Sequence, residues 1–211
     1  KLSILASKTF HARLPIEHVY REGISCITKQ DIQYAADFGR VIKLLAIAKR
    51  RGDDVELRVH PTMIPLSHPL ANVLDSFNAI LMNGSAVGDV MFYGQGAGSL
   101  PTASAVLSDV IYAAHVEKPR YATFENRMGF VSPILHFEQN WVCPFYIRLT
   151  LLNVPGALAQ VTKQMGDCGI SILSAIQKDA REDEATIVFQ TYPAEEQALQ
   201  RAAAGFQEMQ V

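Results

Sequence analysis

Cysteine is scarce in this sequence. Cys26, Cys143 and Cys168 are the three present in 211 residues, and no two stand at a metal-ligand spacing. An odd, scattered set argues against a disulfide-stapled scaffold and predicts reduced thiols in a cytoplasmic setting. The six histidines are dispersed too, so no metal-binding cluster is expected. His60 and His68, in a proline-rich stretch, read as structural or solvated residues. Excess charge of either sign is also missing. Nineteen basic against 21 acidic residues leave a formal charge of −2, which supplies no electrostatic footprint for nucleic acid or an anionic membrane. Long apolar runs are absent: V-I-K-L-L-A-I-A (41–48) is broken by Lys43 and F-Y-I-R-L-T-L-L (145–152) by Arg148. Both fall far short of the roughly 20 residues of a membrane-spanning helix, and no signal peptide is visible. A Ser-His-Asp order, an H-E-x-x-H pair and a Walker loop are all lacking, so no self-contained catalytic set is present.

What is there describes an ordinary globular chain. Hydrophobic residues make up 49% and charged residues 19%, enough to build one large or two small cores. Leu2, Leu5, Ala6 and Thr9 stand at helical spacing. T-K-Q-D (28–31) predicts a capping box, with Asp31 where Glu or Gln is commoner, opening a helix that ends at Gly39. Apolar runs at 41–48, 55–59, 77–83 and 87–93 predict strands, several antiparallel across short links at Gly52 and Gly84. A helix over 100–114 follows, with Ser99 placed to cap it and Pro101 in its first turn. Ala103, Val106, Leu107, Val110 and Ala114 give that helix an apolar side expected to be packed.

Residues 116–142 carry Pro119, Pro133 and five aromatics without a clear period, and predict a linker or an ordered arm. Residues 143–211 read as strand, helix, strand, strand, helix, a ferredoxin-like unit that calls for one more strand where the chain stops at Val211. The expected class is α+β: a mixed, largely antiparallel sheet with helices over 1–115, then the linker, then the ferredoxin-like unit lacking its last strand. A start at Lys1 without methionine predicts a fragment.

The most specific stretch is Y-G-Q-G-A-G-S-L-P-T-A-S-A-V-L-S-D-V (93–110). Glycines before a helix N-terminus let backbone approach a ligand closely, and the free N–H groups favour an anion or a polarised carbonyl. The spacing is not that of the dinucleotide fingerprint G-x-G-x-x-G. The part from 96 to 109 resembles the block that closes the catalytic region of homoserine dehydrogenase. K-L-S-I-L-A-S (1–7), E-G-I-S-C-I-T-K-Q-D-I (22–32), L-R-V-H-P-T-M-I-P-L-S-H-P-L-A-N-V (57–73) and N-A-I-L-M-N-G (78–84) resemble the same family in order. From residue 143 onward the chain resembles an ACT domain, an amino-acid-sensing module of biosynthetic enzymes.

These resemblances imply a parent enzyme of the single-function bacterial type. It would interconvert aspartate 4-semialdehyde and L-homoserine with NADP or NAD, bound mainly by a Rossmann domain that nothing here resembles. The family signature G-x-D-x-x-x-K would end on Lys1, implied to be the catalytic lysine that handles the proton of the substrate hydroxyl. Gly94, Gly96 and Gly98 are implied to lie beside the nicotinamide, and helix 100–114 to pack on the absent domain. In the ACT portion, Asn153 stands where many members carry Asp, and keeps a side chain able to cap the next helix. Asn153, Pro155, Gly156, Ala157 and Leu158, with Gly169, Ile170 and Ser171, are the implied effector site, shared between paired ACT domains, with threonine the expected effector. A homodimer through 41–93 and ACT–ACT pairing is expected, with no nucleic-acid or membrane partner. The 211-residue chain alone is expected to be inactive. The alternative is a non-catalytic amino-acid-binding module whose first half is a dimerisation scaffold.

Overall fold

Apolar spacing near the start forms helix α1 (Leu2–Phe10), which buries Leu2 and Ala6. It ends where His11 turns left-handed at φ 52°. The chain then doubles back: the Ser7 hydroxyl accepts from the Leu14 amide at 3.0 Å, and the Ser3 hydroxyl donates to the Leu14 carbonyl. The computed structural model that supplies this geometry describes residues 1–115, 134–180 and 183–209. The chain divides into two compact units, Lys1–Ala48 with Arg58–Ile134 and Lys49–Leu57 with Leu135–Val211. Most of the expected linker, 116–133, lies outside the described residues.

In the first unit, strand β1 (Tyr20–Arg21) precedes helix α2 (Lys29–Asp37). The expected capping box is formed. Thr28 Oγ1 accepts from the Asp31 amide at 3.3 Å, and the Asp31 carboxylate accepts from the Thr28 amide at 2.9 Å. Gly39, at φ 66°, turns the chain out of the helix. Strands β2 (Arg40–Arg51) and β3 (Asp54–Pro65) are joined by a two-residue turn with Gly52 at φ 62°, so they run antiparallel. The sheet order is β1-β3-β2, with β1 parallel to β3.

Strands β4 (Phe77–Gly84) and β5 (Gly88–Gln95) form a separate antiparallel ribbon, in register from Phe77↔Gln95 to Gly84↔Gly88. Helix α3 (Ser99–His115) follows. Its first residue is Ser99 itself. The Gly98 carbonyl accepts from the Thr102 amide at 3.1 Å, so Gly98 holds the cap position predicted for Ser99. No residue of α3 is buried in this chain, and Val106, Leu107 and Val110 are each more than half exposed. The apolar side expected to be packed is open here.

The second unit contains the tip of the β2–β3 hairpin (Lys49–Leu57), β6 (His136–Glu138), β7 (Val142–Cys143), β8 (Tyr146–Leu152), helix α4 (Ala157–Asp167), β9 (Ile172–Ala180), β10 (Glu184–Thr191), β11 (Ala194–Glu195) and helix α5 (Glu196–Glu208). β6 pairs in parallel with Asp54–Glu56 of β3. β8, β10 and β9 form an antiparallel sheet in that order. Val161 and Met165 of α4 and Ala198 and Ala202 of α5 share one core with Leu151, Ile187 and Phe189. The α+β class and the β-α-β-β-α succession are therefore as expected.

Two details differ from the sequence reading. The last helix starts at Glu196 rather than 194, because Ala194 and Glu195 pair with Cys143 and Val142. Residues 136–138 and 142–143, inside or beside the expected linker, are strands. Asn140 between them caps α5 from 57 positions away: its Oδ1 accepts from the Gln197 amide at 3.0 Å and its Nδ2 donates to Glu195 Oε2 at 3.1 Å. The Trp141 carbonyl takes the Glu196 amide at 3.0 Å. Glu195, the local cap residue, makes no side-chain bond to the helix amides itself. Asn140→Ala is expected to lower the unfolding free energy by about 1 kcal/mol, as loss of an N-cap does. Denaturant titration would check it, and an unchanged midpoint would refute the cap.

Candidate functional site

The β4–β5 ribbon carries the glycine loop of the first unit. Gly94 stands directly across from Asn78, and the Gly96 amide donates to the Ser76 carbonyl at 2.9 Å, so the ladder runs just past the strand end. On the other face of the ribbon Phe77 stacks on Tyr93, with centroids 4.8 Å apart and planes within 2°. That aromatic pair braces the strands immediately before the loop.

Each glycine has its own reason. At Gly98 φ is +127°, a conformation that disfavours any side chain, and a Cβ would also lie a tight 3.2 Å from Pro101 Cδ. At Gly96 a Cβ would fall 1.5 Å from Asn78 Nδ2. At Gly94 a Cβ would meet nothing within 4 Å: the backbone there is an open floor. α3 then begins with the Ser99 and Leu100 amides, which have no intrahelical acceptor, at the positive end of the helix dipole. A bare backbone floor beside oriented N–H donors can receive a flat group with a polarised carbonyl or a negative charge.

Lys1 is exposed at the cap position of α1. Its carbonyl accepts from the Leu5 amide at 3.1 Å, while its side chain caps nothing. Among the described residues no hydrogen bond or ion pair joins it to the glycine loop. Gly94, Gly96 and Gly98 are thus brought together, and Lys1 stands on a separate element of the same unit.

The second group of predicted residues lies in the second unit. Asn153 to Gly156 turn the chain from β8 into α4, with the Asn153 amide donating to the Asp183 carbonyl at 3.0 Å. Gly156, left-handed at φ 93°, is the cap residue of α4 and has no side chain to lend it. Asn153 stands three residues before that cap position. Ala157 and Leu158 open the helix. At its other end Gly169 (φ 78°) donates to the Gly166 carbonyl and Ile170 to the Met165 carbonyl, both at 2.9 Å. This is a Schellman stop. Ser171 is exposed beyond it. The eleven residues of α4 separate Asn153–Leu158 from Gly169–Ser171 by about 16 Å, the length of such a helix. Within one chain these two sets do not meet.

Asn78 was missed in the sequence, where F-N-A-I reads simply as strand. The signal was a polar residue inside an apolar run, but its meaning needs the register that sets it against Gly94 and Gly96. Among the described residues no group of three or more His, Cys, Asp or Glu side chains could hold a metal ion, and no helix is long and apolar enough to cross a membrane.

Comparison with known proteins places this geometry. The family model for homoserine dehydrogenase matches residues 1–111, from Lys1 through most of α3. The homoserine dehydrogenase of Corynebacterium glutamicum is 40% identical over 211 residues, covering 95% of this chain and 46% of that protein. That of Pseudomonas aeruginosa is 37% identical and covers 100% of this chain and 50% of its own length. The crystal structure of a homoserine dehydrogenase from Thiobacillus denitrificans superposes with a TM-score of 0.84 at 36% identity, over 100% of this chain and 49% of that one. The Staphylococcus aureus enzyme at pH 7.5 gives 0.61 at 29% identity, over 95% and 47%. This chain spans about half the length of the relatives it matches. With the family match running through the glycine loop and over more than half of its residues, the chain belongs to the homoserine dehydrogenase family.

Proposed function

We propose that this chain forms part of an enzyme that interconverts aspartate 4-semialdehyde and L-homoserine with NADP or NAD. The observation that carries the reading is the family match over 1–111, which contains both Lys1 and a loop whose backbone at Gly94 is open to close approach. The donor set fits a nicotinamide ring: a bare floor for its flat face, and helix-end amides for a carbonyl or a developing oxyanion. When bound, the cofactor supplies the hydride acceptor for homoserine oxidation, or the donor for aldehyde reduction. Lys1 takes the proton of the substrate hydroxyl in the oxidation and returns it in the reduction. The glycine loop orients and shields the reacting face.

The same reading includes control and assembly. Residues 143–211 form an ACT domain, and an amino-acid effector such as threonine binds between two copies. The opposite-end placement of Asn153–Leu158 and Gly169–Ser171 supports a shared site, since each copy would lend one end of α4. The β4–β5 ribbon, which exposes Ile80, Met91, Phe92 and Tyr93, joins protomers into a cytoplasmic homodimer.

The test is turnover by the full-length natural protein that contains this chain. L-homoserine-dependent reduction of NAD or NADP, followed by absorbance, is expected; its absence from folded protein refutes the proposal.

A further inference from the structure

We propose that Asn78 is a positioning residue for the Gly94–Gly98 loop, its carboxamide filling the volume that a side chain at position 96 would need. The inference rests on the functional reading above and adds to it a residue outside the glycine motif.

Three observations carry it. First, register places Asn78 directly across from Gly94, so its side chain rises on the face where Gly94 and Gly96 lack theirs. Second, a Cβ at 96 would fall 1.5 Å from Asn78 Nδ2 and 2.6 Å from Cγ, where real Cβ contacts essentially never come under 3.0 Å. The end of the carboxamide therefore rests on the bare Cα of Gly96. The loop is held from both sides of Phe77: by this contact from Asn78, and by the hydrogen bond from the Gly96 amide to Ser76. Third, Asn78 is exposed and contributes nothing to a buried core. Asparagine is depleted in strands, where β-branched and aromatic residues fit the pleat better. A local preference broken at an exposed position next to a ligand-approach loop marks a role in the site rather than in the fold.

The consequence is a steric lock. If the carboxamide is removed, Gly96 gains room and the open floor at Gly94 loses its fixed height. If a methyl is added at 96, the carboxamide, the far end of an exposed side chain, must swing away, and its contact with the loop is lost. A displacement of about 1 Å in a positioning element can cost up to about a hundredfold in rate.

The test uses the full-length natural protein with Asn78→Ala, Gly96→Ala and the double variant. Steady-state kinetics is combined with amide hydrogen exchange over 94–98. Asn78→Ala is expected to raise KM for the nicotinamide nucleotide about tenfold, to leave kcat nearly unchanged, and to speed loop exchange without altering the melting temperature. Asn78→Asp, which keeps the volume, retains slow exchange. Gly96→Ala, by expelling the carboxamide, is expected to reproduce the KM rise and the faster exchange of Asn78→Ala. The double variant is expected to be no worse than Asn78→Ala, since the atom remaining at 78 is the Cβ, 3.4 Å from the new methyl. Losses that add in the double variant, or an Asn78→Ala variant with wild-type exchange and KM, overturn the proposal. If wild-type protein fails to oxidise homoserine while Asn78→Ala still speeds exchange at 94–98, the enzymatic reading falls and the lock stands.

Discussion

Replacing Phe189 with alanine is expected to destabilise the second unit by about 3–5 kcal/mol, the range for truncating a fully buried aromatic. Phe189 lies on β10, the middle strand of its sheet, between Ile147 on β8 and Ala175 on β9, and is 0% exposed. It shares its core with Val161 and Met165 from α4 and Ala198 and Ala202 from α5. With both helices and the two flanking strands lining the site, the truncation opens a cavity in the centre of the core, the circumstance in which large-to-small substitutions cost most. A loss of that size is a large part of the stability of a small domain. Urea unfolding of the variant checks it, and a change under about 1 kcal/mol would mean the site refills.

Lys1→Ala should do the opposite: abolish activity and leave the fold alone. The Lys1 side chain is exposed and caps nothing, and the start of α1 is held through backbone, by the Lys1 carbonyl accepting from Leu5. Its loss therefore removes no buried contact. If Lys1 moves the hydroxyl proton, removing it from the full-length natural protein should lower kcat by about 10²–10⁴-fold, the usual contribution of a positioned acid or base. KM for homoserine should change far less, since the missing interaction is one made in the transition state. Lys1→Arg should not restore activity, because a guanidinium stays protonated at any working pH. A Lys1→Ala enzyme with near wild-type kcat would remove Lys1 from the chemistry.

Much of the architecture was legible in the sequence because its causes are local. The capping box of α2 needs only Thr28 and Asp31, three positions apart. The β2–β3 turn needs Gly52 in a left-handed conformation, and the Schellman stop of α4 needs Gly169. Such signals are complete within one helical turn or one hairpin link, so composition and spacing determine them without reference to the rest of the chain. The resemblance of 96–109 to homoserine dehydrogenase was of the same kind, a contiguous block.

Tertiary structure decided whatever depends on residues far apart in the chain. Ala194 and Glu195 carry a helix-compatible pattern but become a strand, because Val142 and Cys143 offer them backbone partners. Asn140 looked like part of a linker and is the cap of α5. The cap position of α4 falls at Gly156, three residues beyond Asn153. Gly96 read as part of a loop open to a ligand, and the side chain that rests on it comes from the neighbouring strand, at Asn78. In the other cases the deciding partner is distant in sequence and adjacent in space. Local propensity is worth a few tenths of a kcal/mol to about 1 kcal/mol per residue, and a hydrogen bond, a backbone pairing or an excluded volume outweighs it.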